Sequence, residues 1–366
     1  MHSHLFSFRR RLKRQARNAQ NAALGYQQFE PRRLLATLAG AGISQSATDL
    51  INNVGGTFEG DVGNNNNGVT DIVYTNLFLN NPTVQNTLEA IEGSQTIPAG
   101  ATMITNVAGL SAITAGTDAS PNVYGLVGNF TITSDIDVPS NVHIYLDGSI
   151  TYVGTYTTPD IFNNGNGESE NREEAIFRLQ SSRNVKLIGV DNAQLIGNPN
   201  LASSSPHVNG VLIQGSGSTN GLVEGFEMRA LWQGVTADFG TSDITVQNNY
   251  ILDSVKRAIW FLGTTNSVVT HNFLENSGAD GIDFDAYVAD SVAYENVMLG
   301  NGRFAFFVEE GANNNFSARQ VSVLHRMGNP NQTRADGALR FMLGNASNGT
   351  GNSFVANNPG IVTRDN

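Results

Sequence analysis

From residue 210 onward, apolar and polar positions alternate with a period of two, in short blocks that recur every 23 or 24 residues. Gly210-Val-Leu-Ile-Gln214, Gly234-Val-Thr-Ala-Asp238, Ala258-Ile-Trp-Phe-Leu262, Gly281-Ile-Asp-Phe-Asp285 and Ala305-Phe-Phe-Val-Glu309 align, and Ala338-Leu-Arg-Phe-Met342 follows after a longer insertion. One position is apolar in every block (Val211, Val235, Ile259, Ile282, Phe306, Leu339), as is its neighbour two residues on (Ile213, Ala237, Phe261, Phe284, Val308, Phe341). The position between them varies freely. Period two is the signature of a strand with one buried face. The other half of each unit repeats too, with Asn249, Asn272 and Asn296 at the same place in three successive copies.

A unit this short cannot bury its own apolar face, but stacked copies can, each strand pairing with its copy in the next unit. The pattern therefore predicts an all-β solenoid, a parallel β-helix, with the asparagines forming a hydrogen-bonded ladder at one turn. Leucine-rich repeats share the length, but no L-x-x-L-x-L-x-x-N pattern recurs. Earlier segments, Ile132 to Tyr152 and Val185 to Gly197, alternate like strands, while Gly154 to Arg172 reads as a polar loop insertion. Residues 82–92 read as a short capping helix with proline near its start. The expected organisation is a basic tail over 1–46, an N-terminal cap with irregular first turns over 47–120, and the β-helix over 121–366.

Composition agrees. The 366 residues include 39 Gly and 44 Asn, poor helix formers that suit turns with positive φ. The absence of cysteine excludes a disulfide framework, thiolate metal sites and a cysteine nucleophile. Net charge is -11, but residues 1–33 hold eight basic residues and one acid, leaving 13 basic and 31 acidic residues in the body. That body repels nucleic acid and anionic membrane. No apolar run is long enough to span a membrane.

The tail places basic residues before a short apolar run from Leu34 to Ile43, the order of an export signal. Its Phe29-Glu-Pro-Arg-Arg-Leu-Leu-Ala36 segment resembles the LEPR-x-LL tails of surface and secreted proteins of planctomycete bacteria. The resemblance implies a secreted or cell-surface location.

In the body, Asp280-Gly-Ile-Asp-Phe-Asp-Ala-Tyr287 followed by Arg303-Phe-Ala-Phe-Phe-Val-Glu-Glu-Gly-Ala312 resembles a block of secreted right-handed β-helix proteins, broadly the pectin-lyase-like superfamily. The repeat length matches the right-handed helices of that group. The resemblance covers roughly residues 121–360. It implies an outward sheet face that carries function and a polysaccharide partner, without naming an activity. The G-H-G and D-D signatures of polygalacturonases, the R-x-P-x-x-R of common pectate lyases and the D-P-H of mannuronan epimerases are absent.

The alignment itself defines two outward columns. One runs Leu212, Thr236, Trp260, Asp283, Phe307, Arg340; the other runs Gln214, Asp238, Leu262, Asp285, Glu309, Met342. With windings ~4.8 Å apart, Asp283, Asp285 and Glu309 should cluster outward, flanked by exposed Trp260 and Phe307. Stacked acids repel, so one carboxyl should be hard to ionise, or the group should hold a cation such as Ca²⁺. Exposed aromatics beside paired acids suit sugar binding and glycoside chemistry. Asp283, Asp285 and Glu309 are thus the candidate acids and bases, or calcium ligands. Trp260, Phe307, Arg340 and Asp238 are candidate substrate contacts. Lys256 and Arg303, at the preceding turn, could remove a proton or neutralise a uronate; otherwise they are solubilising and Arg257–Asp280 is a surface pair. No cofactor other than possible calcium is implied. The leading expectation is a carbohydrate lyase or glycoside hydrolase; a non-catalytic surface or adhesion module built on a rigid rod is the alternative.

Overall fold

A computed structural model of the chain describes residues 82–91, 95–154, 161–163, 169–171, 174–197, 208–299, 301, 304–308, 312–313, 315–318, 321–323, 340–341 and 353–355. The tail over 1–46, Arg303, Glu309, Leu339 and the loop over 326–337 lie outside the described residues.

The chain is a parallel β-helix whose strands stack into three faces. The first face carries Thr219–Glu224, Ser242–Gln247, Val268–Thr270, Val292–Tyr294, Phe316–Ala318 and Ser353–Val355. The second carries Glu227–Arg229, Tyr250–Leu252, Phe273–Glu275, Val297–Leu299 and Val321–Val323. The long strand Arg183–Ile196 starts both: its early residues pair with Thr219–Glu224 and its late ones with Glu227–Arg229. The third face runs from Ile136–Asp137 through Glu174–Gln180, Val208–Gln214, Val235–Ala237, Ile259–Leu262, Ile282–Asp285 and Phe306–Val308 to Arg340–Phe341.

The third-face register matches the sequence alignment residue for residue. Leu212 pairs with Thr236, Thr236 with Trp260, Trp260 with Asp283, Asp283 with Phe307 and Phe307 with Arg340. The always-apolar positions from Val211 to Phe306 and from Ile213 to Val308 line the interior and are buried throughout. Phe261 stacks on Phe284 with centroids 5.6 Å apart, and Phe284 meets Phe306 edge-on at 5.1 Å. Each such buried phenyl ring stabilises the stack by about 2–3 kcal/mol.

Corners turn on residues in the left-handed region. Asn248, His271 and Glu295 stand at φ 57°, 52° and 53°, immediately before the three ladder asparagines. The ladder forms as expected: Asn249 Nδ2 donates to Asn272 Oδ1 and Asn272 Nδ2 to Asn296 Oδ1, both at 3.0 Å. Those oxygens also accept the backbone N–H of Asn249 at 3.1 Å and of Asn272 at 3.0 Å. A second ladder was not legible in the repeats: Ile244 N–H donates to Ser267 Oγ, Ser267 N–H to Ser291 Oγ and Ser291 N–H to Asn315 Oδ1. Replacing Asn272 with leucine strands the Asn249 N–H and the Val246 and Thr270 carbonyls it now satisfies. The expected loss is about 3 kcal/mol or more in urea unfolding; a loss below about 1 kcal/mol would deny the ladder its role.

The earlier windings use longer strands, Asn122–Ile132 and Val142–Tyr152. Within 47–120, a strand at Thr102–Ile104 pairs with the first of these, and a 3-10 helix spans Val107–Ala112. The predicted helix forms as α1, Pro82–Ile91, and Thr87 Oγ1 donates to the carbonyl of Glu295 at 2.9 Å. The 154–172 insertion contains an antiparallel pair, Ile161–Asn163 with Ser169–Asn171.

Candidate functional site: an arginine-centred acid cluster and its outer corner

The acids of the third face do gather, but around an arginine. Arg257 lies just before the strand Ile259–Leu262, and its side chain runs along the outer surface of the sheet. Arg257 Nε is 2.5 Å from Asp283 Oδ2 and 3.8 Å from Asp280 Oδ2, while Nη2 is 3.7 Å from Asp285 Oδ2. The guanidinium also stacks over Trp260 at 4.6 Å. Trp260 Nε1 donates to Asp285 Oδ2 at 3.0 Å, and Asp280 Oδ1 accepts the Phe304 N–H at 3.1 Å. Burial works against the Arg257 charge, yet Asp283, then Asp285 and Asp280, raise its pKa above the ordinary value.

Three expectations are corrected. Asp283 points out of the helix interior but is fully buried, as is Asp280. Trp260 and Phe307, expected as exposed stacking surfaces, are 3% and 2% exposed; Trp260 packs with Leu262 and Ala286, and Phe307 stacks on Phe304 at 4.7 Å. Alternation tells which side of a sheet a residue faces, not whether another layer covers that side. The supposed surface pair Arg257–Asp280 joins a partly exposed arginine to a fully buried acid and belongs to a larger network. Lys256 is exposed, with its ammonium 5.3 Å from the Trp232 ring of the preceding winding, turned to an aromatic instead of the acids. Arg340 stands in the expected register beside Phe307.

The calcium expectation meets a different chemistry. Arg257 supplies the positive charge that Asp283 and Asp285 face. Among the described residues, no group of three histidines and acids is placed to hold a metal ion.

Accessible chemistry survives at the outer corner, where the strands end. Asp238 directly follows the strand Val235–Ala237 and Asp285 ends the strand Ile282–Asp285, two windings apart with Leu262 between them. Both are partly exposed. Both make the same local bond: Asp238 Oδ1 accepts the Phe239 N–H at 2.6 Å, and Asp285 Oδ1 accepts the Ala286 N–H at 2.7 Å. Their surroundings differ. Asp238 sits where burial raises its pKa above the usual carboxylate value, against a smaller opposing effect of the Phe239 N–H. Asp285 has Arg257 and the Trp260 indole beside it. Two windings at ~4.8 Å each put the two acids roughly 9.5 Å apart.

Two further titratable clusters carried no repeat signal. Asp135 contacts Arg178, which also lies 3.7 Å from Glu174. Burial first, then a hydrogen bond with Glu174, pushes Asp135 up to about 7. On the second face, the Tyr250 hydroxyl donates to Glu275 Oε2, and both side chains are buried. Both clusters join residues distant in sequence through side-chain reach, which alternation does not encode.

No protein-family model matches the chain, and no curated protein matches it. Solved structures with a similar course include an alginate lyase from Paenibacillus sp. str. FPU-7, 11% identical, TM-score 0.39, covering 70% of this chain and 98% of that one. Another is the enzymatically active domain of tailspike protein 2 from bacteriophage CBA120, 12% identical, TM-score 0.40, covering 65% of this chain and 39% of that one. A third is PfbA, a surface adhesin of Streptococcus pneumoniae, 12% identical, TM-score 0.31, covering 69% and 89%. The fold assignment rests on the strand register and not on these likenesses.

Proposed function

We propose that the chain acts on a polysaccharide at the Asp238–Asp285 corner and hydrolyses a glycosidic bond with inversion. The observation that carries this reading is the matched pair of carboxyls, two windings apart, in unlike environments. Inverting glycosidases space their acids ≈ 6.5–9.5 Å apart, leaving room for a water. A carboxyl in a partly desolvated setting suits the acid, and one held beside a cation suits the base. Asp238, whose proton burial makes harder to lose, gives that proton to the departing glycosidic oxygen. Asp285, oriented by Trp260 and Arg257, takes a proton from the water that attacks the anomeric carbon. Arg257 fixes that carboxylate and balances its charge.

Export to the cell surface belongs to the same proposal and rests on the order of residues in the tail. The negative body argues against a nucleic-acid partner. A second reading, a glycan-binding surface module without turnover, is favoured by one observation: Trp260, Asp283 and Phe307, though outward in the sheet, are covered and closed to a ligand.

Reducing-end release from a panel of neutral and acidic polysaccharides tests the proposal. Asp238→Asn and Asp285→Asn are each expected to lower turnover by about 10²–10⁴-fold, the usual contribution of a positioned acid or base. Turnover by wild type with either variant unimpaired would remove that residue from the mechanism. Because Arg257 already supplies a positive charge beside Asp283 and Asp285, chelation with EDTA is expected to leave turnover unchanged; a tenfold fall would favour the calcium expectation.

A further inference from the structure

The turn after the third-face strand occurs twice, two windings apart, with the same bonds. In Asp238–Thr241, Thr241 N–H donates to Asp238 O at 3.3 Å, and the third residue, Gly240, stands at φ 78°. In Asp285–Val288, Val288 N–H donates to Asp285 O at 3.1 Å, and the third residue is Tyr287 at φ 64°. A positive φ at this position suits glycine; a bulky aromatic there is strained. Tyr287 is nonetheless 59% exposed, so its ring gains little from burial in the folded chain. A strained residue that the fold does not reward points to use at the surface.

The neighbouring windings complete the arrangement. The Phe239 ring lies 6.3 Å from that of Tyr287, tilted by 45°. It lies over Gly263 of the intervening winding, where a Cβ would fall 2.1 Å from Phe239 Cδ1, so only glycine lets the ring settle there. Gly263 N–H in turn donates to Ala286 O at 2.7 Å, tying this seat to the Tyr287 turn. Three consecutive windings thus contribute a ring, a seat without a side chain, and a second ring, beside both outer acids.

We propose that Phe239 and Tyr287 form a stacking platform for the apolar C–H face of a pyranose ring, the subsite next to Asp238 and Asp285. Its place beside the acids rests on the glycan-acting reading, but the platform binds whether or not a bond is cleaved. Aromatic faces beside a small number of placed polar groups suit such a ligand.

Mobility in native gels cast with xylan, mixed-linkage glucan, galactomannan, polygalacturonate or alginate tests the platform. Wild type is expected to be retarded by at least one polymer. Tyr287→Ala and Tyr287→Gly should weaken that retardation about tenfold or more in apparent Kd, while Tyr287→Phe keeps it. Tyr287→Gly should melt at or above wild type, because it relieves the turn; a purely structural tyrosine would melt lower when removed. Equal retardation of Tyr287→Ala, no retardation of wild type by any polymer, or a Tyr287→Gly variant melting well below wild type would each overturn the proposal. Binding lost in Tyr287→Ala, in a protein that cleaves none of the polymers, would uphold the platform and defeat only the hydrolase reading.

Discussion

Arg257→Met is expected to destabilise the protein by about 3–5 kcal/mol, the usual cost of removing one partner from a buried ion network. Methionine fills much of the arginine stem's volume but leaves Asp280 and Asp283 buried without the guanidinium they now face. It also removes the ring-stacked charge over Trp260. A loss of this size lowers the melting temperature of a large domain by roughly 10 °C. Arg257→Lys should lie between wild type and Arg257→Met. It keeps a charge but lacks the planar fork that serves Asp283 and Asp285 together and stacks on the indole. Thermal and urea unfolding of both variants check the order. Arg257→Met as stable as wild type would mean that Asp280 and Asp283 do not depend on this cation.

The second large effect has the opposite sign. Burial pushes Glu275 up to about 8; the Tyr250 hydroxyl bond opposes that shift and Asp253 adds to it. In the unfolded chain the same side chain titrates near 4.3. Between these values the unfolded chain sheds a proton that the native protein keeps, so rising pH favours unfolding across this window, and the penalty levels off above about 8. Each unit of separation is about 1.4 kcal/mol, so the ceiling is several kcal/mol. Glu275→Gln retains an acceptor for Tyr250 and has no charge to bury. It should match wild type within about 1 kcal/mol at pH 4.5 and exceed it by about 2 kcal/mol or more at pH 9. Urea unfolding at pH 4.5, 7 and 9 measures the difference. A constant offset between the two proteins would show that Glu275 ionises normally.

The sequence carried the architecture well, because a solenoid repeats its constraints. The 23- and 24-residue offsets align Trp260 with Asp283 and Asp283 with Phe307, and the strand register does the same. The Asn249, Asn272 and Asn296 ladder was equally legible, since one residue type recurs at one position. The serine ladder escaped because its last member is Asn315, so no single residue type marks it. The site was legible only in part. Asp238 and Asp285 fell in one column by alignment, but their separate roles depend on burial and on Arg257, whose long side chain reaches past its own level to Asp285. Trp260 and Phe307 are covered, whereas Tyr287, at the end of the recurring block, is the exposed one. Nothing in the alternation distinguishes a covered outward residue from an open one. The mark of Tyr287 lies in its backbone, in a turn whose counterpart uses Gly240.

The most direct test of the Asp238–Asp285 pair is the configuration of the first product. Proton NMR of a freshly started digestion, run before mutarotation, reports the anomer released. Two acids roughly 9.5 Å apart, with a water between them, predict the inverted anomer. A retained anomer, an unsaturated sugar end, or no product from any glycan would contradict it.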